Sequence, residues 1–195
     1  MTYPSYTFAI FFVALLLVHR SPLSFSFRKA VLLFASYFFY GAWNPPFVLL
    51  LWISTGVDWF LARRIHQEPG QGKRRLYVCC TLAVNLGLLA IFKYAGFFGE
   101  IGLWTLEALG LKLYIQLPSF ILPVGISFYT FQTLSYTIDV YRGRLAPARS
   151  FFDYALYVSF FPQLVAGPIV RAGTFLPQCE EERRVSLDEM AWGIS

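Results

Sequence analysis

The apolar positions of this chain do not alternate with polar ones. They run on in long stretches, each closed by a turn or a basic cluster. Tyr3 to Val18 is the first stretch and ends at His19-Arg20. Arg28 and Lys29 open a second, Ala30 to Trp43, which Asn44-Pro45-Pro46 breaks by removing backbone donors and biasing the preceding residues away from helix. Phe47 to Ala62 follows, then Leu76 to Phe92, with Lys93-Tyr94 read as an interfacial anchor pair at its end. Runs of this length and composition predict helices that cross a bilayer. The predicted class is all-α, a polytopic transmembrane helical bundle forming one region, with spans at about 3–18, 30–43, 47–62, 76–92 and 119–141.

Two segments depart from simple spans. Ala95 to Gln116 is apolar but interrupted by four glycines, and Trp104 to Leu111 clusters its apolar side chains on one face. That pattern fits an interfacial amphipathic helix, or equally a helix packed on the bundle. The stretch 151–170 is predicted to be a broken or re-entrant element, most irregular near 160–171. Ser150-Phe151-Phe152-Asp153 caps its start, Pro162-Gln163 interrupts it, and Gly167-Pro168 precedes the closing Arg171. A polar segment, 173–185, then carries Glu180 to Glu182 and Arg183-Arg184 as a solvated face. Ser186 to Glu189 caps a further helix that stops at Ser195, which suggests an incomplete chain.

The span from Leu122 to Arg142 is the most informative. On a helical wheel Phe131, Leu134 and Ile138 share one face, while Tyr129, Gln132, Tyr136 and Asp139 fall nearly opposite. Gly125, near its start, permits close approach of another backbone. A polar row inside a membrane helix needs partners, because an unpaired polar group in hydrocarbon costs several kcal/mol. Interhelical hydrogen bonding and the wall of a wet cavity both satisfy it. Asp58 is a second intramembrane polar group, for which a functional role and snorkelling towards Arg63-Arg64 are both open.

Composition supports the membrane reading. Of the 195 residues 57% are hydrophobic and only 14% charged, and mean hydropathy is +0.55. A soluble domain carries about 25% charged residues. The net charge of +5 does not indicate nucleic acid, since eleven of the 16 Lys and Arg lie near 20–29, 63–75 and 142–149. Placing those loops in the cytoplasm satisfies the positive-inside rule, with the N-terminus outside. Lipid is thus the first partner expected. His19 and His66 read as interfacial and loop residues. Cys79, Cys80 and Cys179 have neither metal-binding nor disulfide spacing, and no metal site is expected. No phosphate-cradling glycine loop and no nucleophile–histidine pair is present.

Ile121 to Gly143 (ILPVGISFYTFQTLSYTIDVYRG) followed by Phe160 to Arg171 (FFPQLVAGPIVR) resembles the membrane-bound O-acyltransferase superfamily, in its alginate O-acetyltransferase-like branch. Ala35 to Trp43 and Ile91 to Phe98 extend the resemblance through most of the chain. It implies acyl transfer, chiefly of acetyl, to hydroxyls of an exported polysaccharide such as alginate, in the bacterial inner membrane. The implied donor is acetyl-CoA or an acyl-carrier thioester, with no cofactor held permanently. The implied partners are the polysaccharide acceptor or a periplasmic or extracellular acetyltransferase.

The resemblance also implies a funnel wall built from Tyr129, Gln132, Tyr136, Asp139, Arg142, Pro162, Gln163, Gly167, Pro168 and Arg171. Arg142 and Arg171 either meet donor phosphates or serve topology. The family's histidine base lies well downstream of the AGPIVR-like motif, and neither His19 nor His66 matches it. No catalytic residue is therefore assigned, and the 195 residues are expected to resemble the N-terminal part of such an enzyme and to be inactive alone. A non-enzymatic transport or scaffold component of an export complex, or a partner-docking module, is the alternative.

Overall fold

Proline and glycine punctuation, more than charge, decides where the helices stop. The computed structural model describes residues 6–110 and 122–182. All regular structure among them is helical: α1 (Tyr6–Arg20), α2 (Phe25–Gly41), α3 (Pro46–Gln67), α4 (Gln71–Leu89), a π-helical segment (Ala90–Tyr94), α5 (Ala95–Ala108), α6 (Ile126–Tyr141), α7 (Phe151–Ser159), α8 (Phe161–Ala166) and α9 (Ala172–Glu180). Among the described residues two helices are long and apolar enough to cross a membrane, Pro46–Gln67 and the continuous Gln71–Ala108.

Several expected boundaries move. Ser24 caps α2 by accepting from the Phe27 amide, so Arg28 and Lys29 lie inside the helix rather than before it. The basic stretch 63–75 is not a loop. Arg63, Arg64 and His66 ride on the end of α3, Lys73 to Arg75 on the start of α4, and only 68–70 connects them. The helix does not stop at Lys93 and Tyr94 either. They sit in the π-helical turn, through which α4 continues into α5 over 38 residues, roughly 57 Å at 1.5 Å per residue. Trp104 belongs to this same helix, which ends at Ala108, so 104–108 is not a separate helix. The expected helix after Ser186 lies outside the described residues.

Short connections fold α3 and α4 into a hairpin, and α6 packs against both. α7 fills the space between α2, α3 and α6. The core is aromatic. The Tyr136 and Tyr154 rings lie 4.5 Å apart, and Phe11 and Phe39 flank Phe161 at 5.3 and 5.5 Å. The basic helix ends gather at one end of the bundle. Arg28 donates to the His19 carbonyl at 3.0 Å, Arg74 to that of Tyr141 at 2.6 Å, and Arg63 to that of Arg149 at 3.2 Å.

Candidate functional site

The polar helix α6 starts where Gly125 turns the chain with φ of +74°. A Cβ there would stand 2.7 Å from the Leu164 carbonyl oxygen, so α8 reaches the α6 N-terminus only because this residue is glycine. Tyr129, Gln132 and Tyr136 are all buried. Gln132 Nε2 donates to the Tyr157 carbonyl at 2.9 Å, and the Tyr136 hydroxyl accepts from the Ala148 amide at 3.0 Å. Gln132 therefore faces α7 and Tyr136 the loop after α6, both acting as hydrogen-bonding glue, while Tyr129 lies beside Tyr40 of α2. Asp139 is half-buried and Arg142 exposed. On the expected apolar face Phe131 is exposed, whereas Leu134 is buried.

The break in 151–170 is real as backbone geometry. Phe160, with ψ of 107°, separates α7 from α8, and Pro162 sits in the first turn of α8. Gly167 is extended, and a Cβ on it would meet Gln163 Cα at 2.6 Å. Gln163 is buried, Pro162 and Gly167 are partly so, and Pro168 and Arg171 are exposed. Among the described residues Gln132 Oε1, Gln163 Nε2 and the Tyr154 hydroxyl are buried without a hydrogen-bond partner. Buried polar groups ordinarily have one, so the seam between α6, α7 and α8 is polar beyond its own internal needs.

A second polar cluster escaped the sequence reading. Asp58 is fully buried and does not reach Arg63 or Arg64. At 100° per residue Arg63 lies about 140° round the helix from it, facing another way. Asp58 instead meets α4. Asn85 Nδ2 donates to its two carboxyl oxygens at 2.8 and 3.0 Å, and Thr81 Oγ1 donates to Oδ1. Ser54 Oγ donates to Asn85 Oδ1 at 2.8 Å, and Thr133 of α6 to the same oxygen at 3.3 Å. The signal was present as two i,i+4 polar pairs, Ser54/Asp58 and Thr81/Asn85, on consecutive apolar helices.

Asp153 is likewise more than a cap. Its backbone amide donates to Ser150 Oγ as expected, but its carboxylate pairs with Lys29 Nζ at 2.6 Å. Lys29 also donates to the Cys179 carbonyl at 2.7 Å, joining α2, α7 and α9. Ser26, Lys29, Ala30, Leu33, Ser150, Phe152 and Asp153 line a cavity of about 290 Å³ beside this pair. Burial, and then the nearby Asp153 charge, push the Cys179 thiol up to about 11. It is therefore a neutral packing group near pH 7.

Beside this geometry stands a clear set of relatives. A peptidoglycan O-acetyltransferase of Helicobacter pylori is 36% identical over 193 aligned positions, covering 87% of this chain and 35% of its own length. A probable alginate O-acetylase of Pseudomonas aeruginosa is 34% identical, over 87% of this chain and 32% of its own. Another from Azotobacter vinelandii is 34% identical across 100% of this chain and 39% of its own. By sequence, the chain belongs with these membrane-bound O-acyltransferase-like acetylases. It spans about a third of the length of the curated relatives it matches. No family model matches it, and no solved structure does so significantly.

Proposed function

We propose that this chain forms part of the wall of a membrane O-acetyltransferase that transfers acetyl groups to hydroxyls of an exported polysaccharide. The observation that carries this reading is identity of 34–36%, over most of the chain, to proteins named for alginate and peptidoglycan O-acetylation. In this reading the bundle is polytopic and sits in a bacterial inner membrane with its N-terminus outside. Its basic end faces the cytoplasm and the acetyl thioester, which is acetyl-CoA or a carrier-bound acetyl group. The acceptor, or a partner acetyltransferase, approaches from the other side.

The broken seam of α6, α7 and α8 is the segment that lines the acyl path. Backbone irregularity at membrane depth is tolerated only against protein or water, and Gln132 Oε1, the Tyr154 hydroxyl and Gln163 Nε2 are among the unpartnered polar atoms of these three helices. His19 and His66 are both exposed near the basic end, away from the seam. The test is O-acetylation of polysaccharide in cells that depend on this protein. Gln132→Ala and Arg171→Ala are expected to lower it about tenfold or more at unchanged protein level. Undiminished acetylation would remove both residues from the path. Export that fails while labelled acetyl transfer persists would favour the transport or scaffold role instead.

A further inference from the structure

One part of the basic end carries more positive charge than its own ion pairs neutralise. On the side formed by α1, α2 and α9, two of the bases meet acids: Lys29 pairs with Asp153 of α7 and Arg28 with Glu182. On the side formed by α3, α4 and α6 they do not. Arg64, Arg75, Arg142, Arg144 and Arg149 are exposed, and among the described residues none of them pairs with a carboxylate. Among the described residues the ion pair found on that side is Lys73 with Glu68, at 4.0 Å.

The loop that presents three of these arginines is fastened. Gly143, with φ of +69°, ends α6, and the Arg144 amide closes back onto the Asp139 carbonyl at 2.9 Å. Trp59 Nε1 donates to the Ala148 carbonyl at 3.1 Å, and Tyr136 holds the Ala148 amide. Arg63 and Arg74 hold the Arg149 and Tyr141 carbonyls, adding two cations that carbonyls hold but do not neutralise. Positive-inside topology depends on the number of cations near a span, and gives no reason to immobilise a loop bearing three of them.

Exposed apolar residues adjoin two of these cations, Arg64 and Arg75. Phe60 is 51% exposed and sits under Arg64, whose guanidinium is 5.0 Å from its ring. Leu76, 59% exposed, follows Arg75 on α4. A soluble polyanion would engage the arginines and leave this belt uncovered. A molecule with a phosphate head and apolar chains engages both. We propose that this face is a binding surface for an anionic phospholipid, its phosphate held by Arg142, Arg144 and Arg149 and its acyl chains lying along α3 and α4. The inference rests on the membrane-spanning reading.

The experiment uses the whole chain, purified in detergent and given phosphatidylglycerol or phosphatidylcholine. Native mass spectrometry reads lipid retention, and thermal unfolding reads stabilisation. Phosphatidylglycerol is expected to be retained and to raise the midpoint, and phosphatidylcholine to do neither. Arg142→Gln/Arg144→Gln/Arg149→Gln should weaken retention about a hundredfold, while Arg20→Gln, on the other side of the same end, leaves it unchanged. An unchanged midpoint for the triple variant in phosphatidylcholine establishes that it is folded. Equal retention of the two lipids, undiminished retention by the triple variant, or inorganic tripolyphosphate matching the lipid's effect would each overturn the proposal. Carbonate extraction separates the two claims. A chain washed from membranes defeats the spanning reading, whereas one that stays but ignores phosphatidylglycerol defeats only the lipid site.

Discussion

An aspartate at the centre of a membrane helix costs about 2.5 to 3.5 kcal/mol on insertion scales unless a neighbour accommodates it. Asp58 is accommodated by Asn85 and Thr81, which together direct three hydrogen bonds at its carboxyl oxygens. The prediction follows from the asymmetry of removing one partner. Asn85→Leu leaves the Asp58 carboxyl with Thr81 alone and strands the Ser54 hydroxyl, and should lower stability by about 1 to 3 kcal/mol. Asp58→Leu leaves the Thr81 hydroxyl without its acceptor and Asn85 Nδ2 with only the Thr81 carbonyl, and should cost a similar amount. The double variant should cost clearly less than the two losses combined, as thermal unfolding in detergent would read. Strictly additive losses would mean that the residues are not coupled. This cluster was only half legible in the sequence. Asp58 stood out, but Arg63 and Arg64 were the neighbours visible along the chain, and the residues that satisfy it lie on the next helix.

At the scale of elements, breaks made by proline and glycine were easier to read than breaks inferred from charge. Asn44-Pro45-Pro46 ends one helix and starts another as expected, because a missing donor and a fixed φ act locally. Lys93-Tyr94 did not end a helix, because its polar group finds a tertiary partner. Lys93 Nζ donates to Ser127 Oγ of α6 at 3.2 Å, and the π-helical turn keeps the chain helical around it. Gly125 shows how a local requirement becomes a contact between elements. Gly125→Ala meets both a positive φ and the Leu164 carbonyl, whereas Gly143→Ala meets a positive φ with nothing within 4 Å. Gly143→Ala should cost about 1 kcal/mol and Gly125→Ala about 2 to 4 kcal/mol, with the difference reporting the α6–α8 approach. Equal losses, measured by thermal unfolding in one detergent, would show that α8 yields at no cost.

For the molecule as a whole, the sequence carried the arrangement of charge better than the helix boundaries. The clusters near 20–29, 63–75 and 142–149 were grouped on one side by counting alone. The fold gathers them at one end through the contacts of Arg28, Arg63 and Arg74, even though most of 63–75 is helix rather than loop. The turn between α2 and α3 is fixed by this arrangement at the other end. α3 has 22 residues, roughly 33 Å of helix, about the thickness of a bilayer's hydrocarbon core. Asn44 and Gln71 must then face opposite sides if α3 spans. With Cys79, Cys80 and Cys179 replaced by serine, a membrane-impermeant maleimide should label Asn44→Cys in intact cells. It should reach Gln71→Cys, at the basic end, only after the membrane is opened. Labelling of both in intact cells would mean that α3 does not cross. The reverse pattern would keep the span and place the arginine-rich end outside, against the bias that positive charge exerts on insertion.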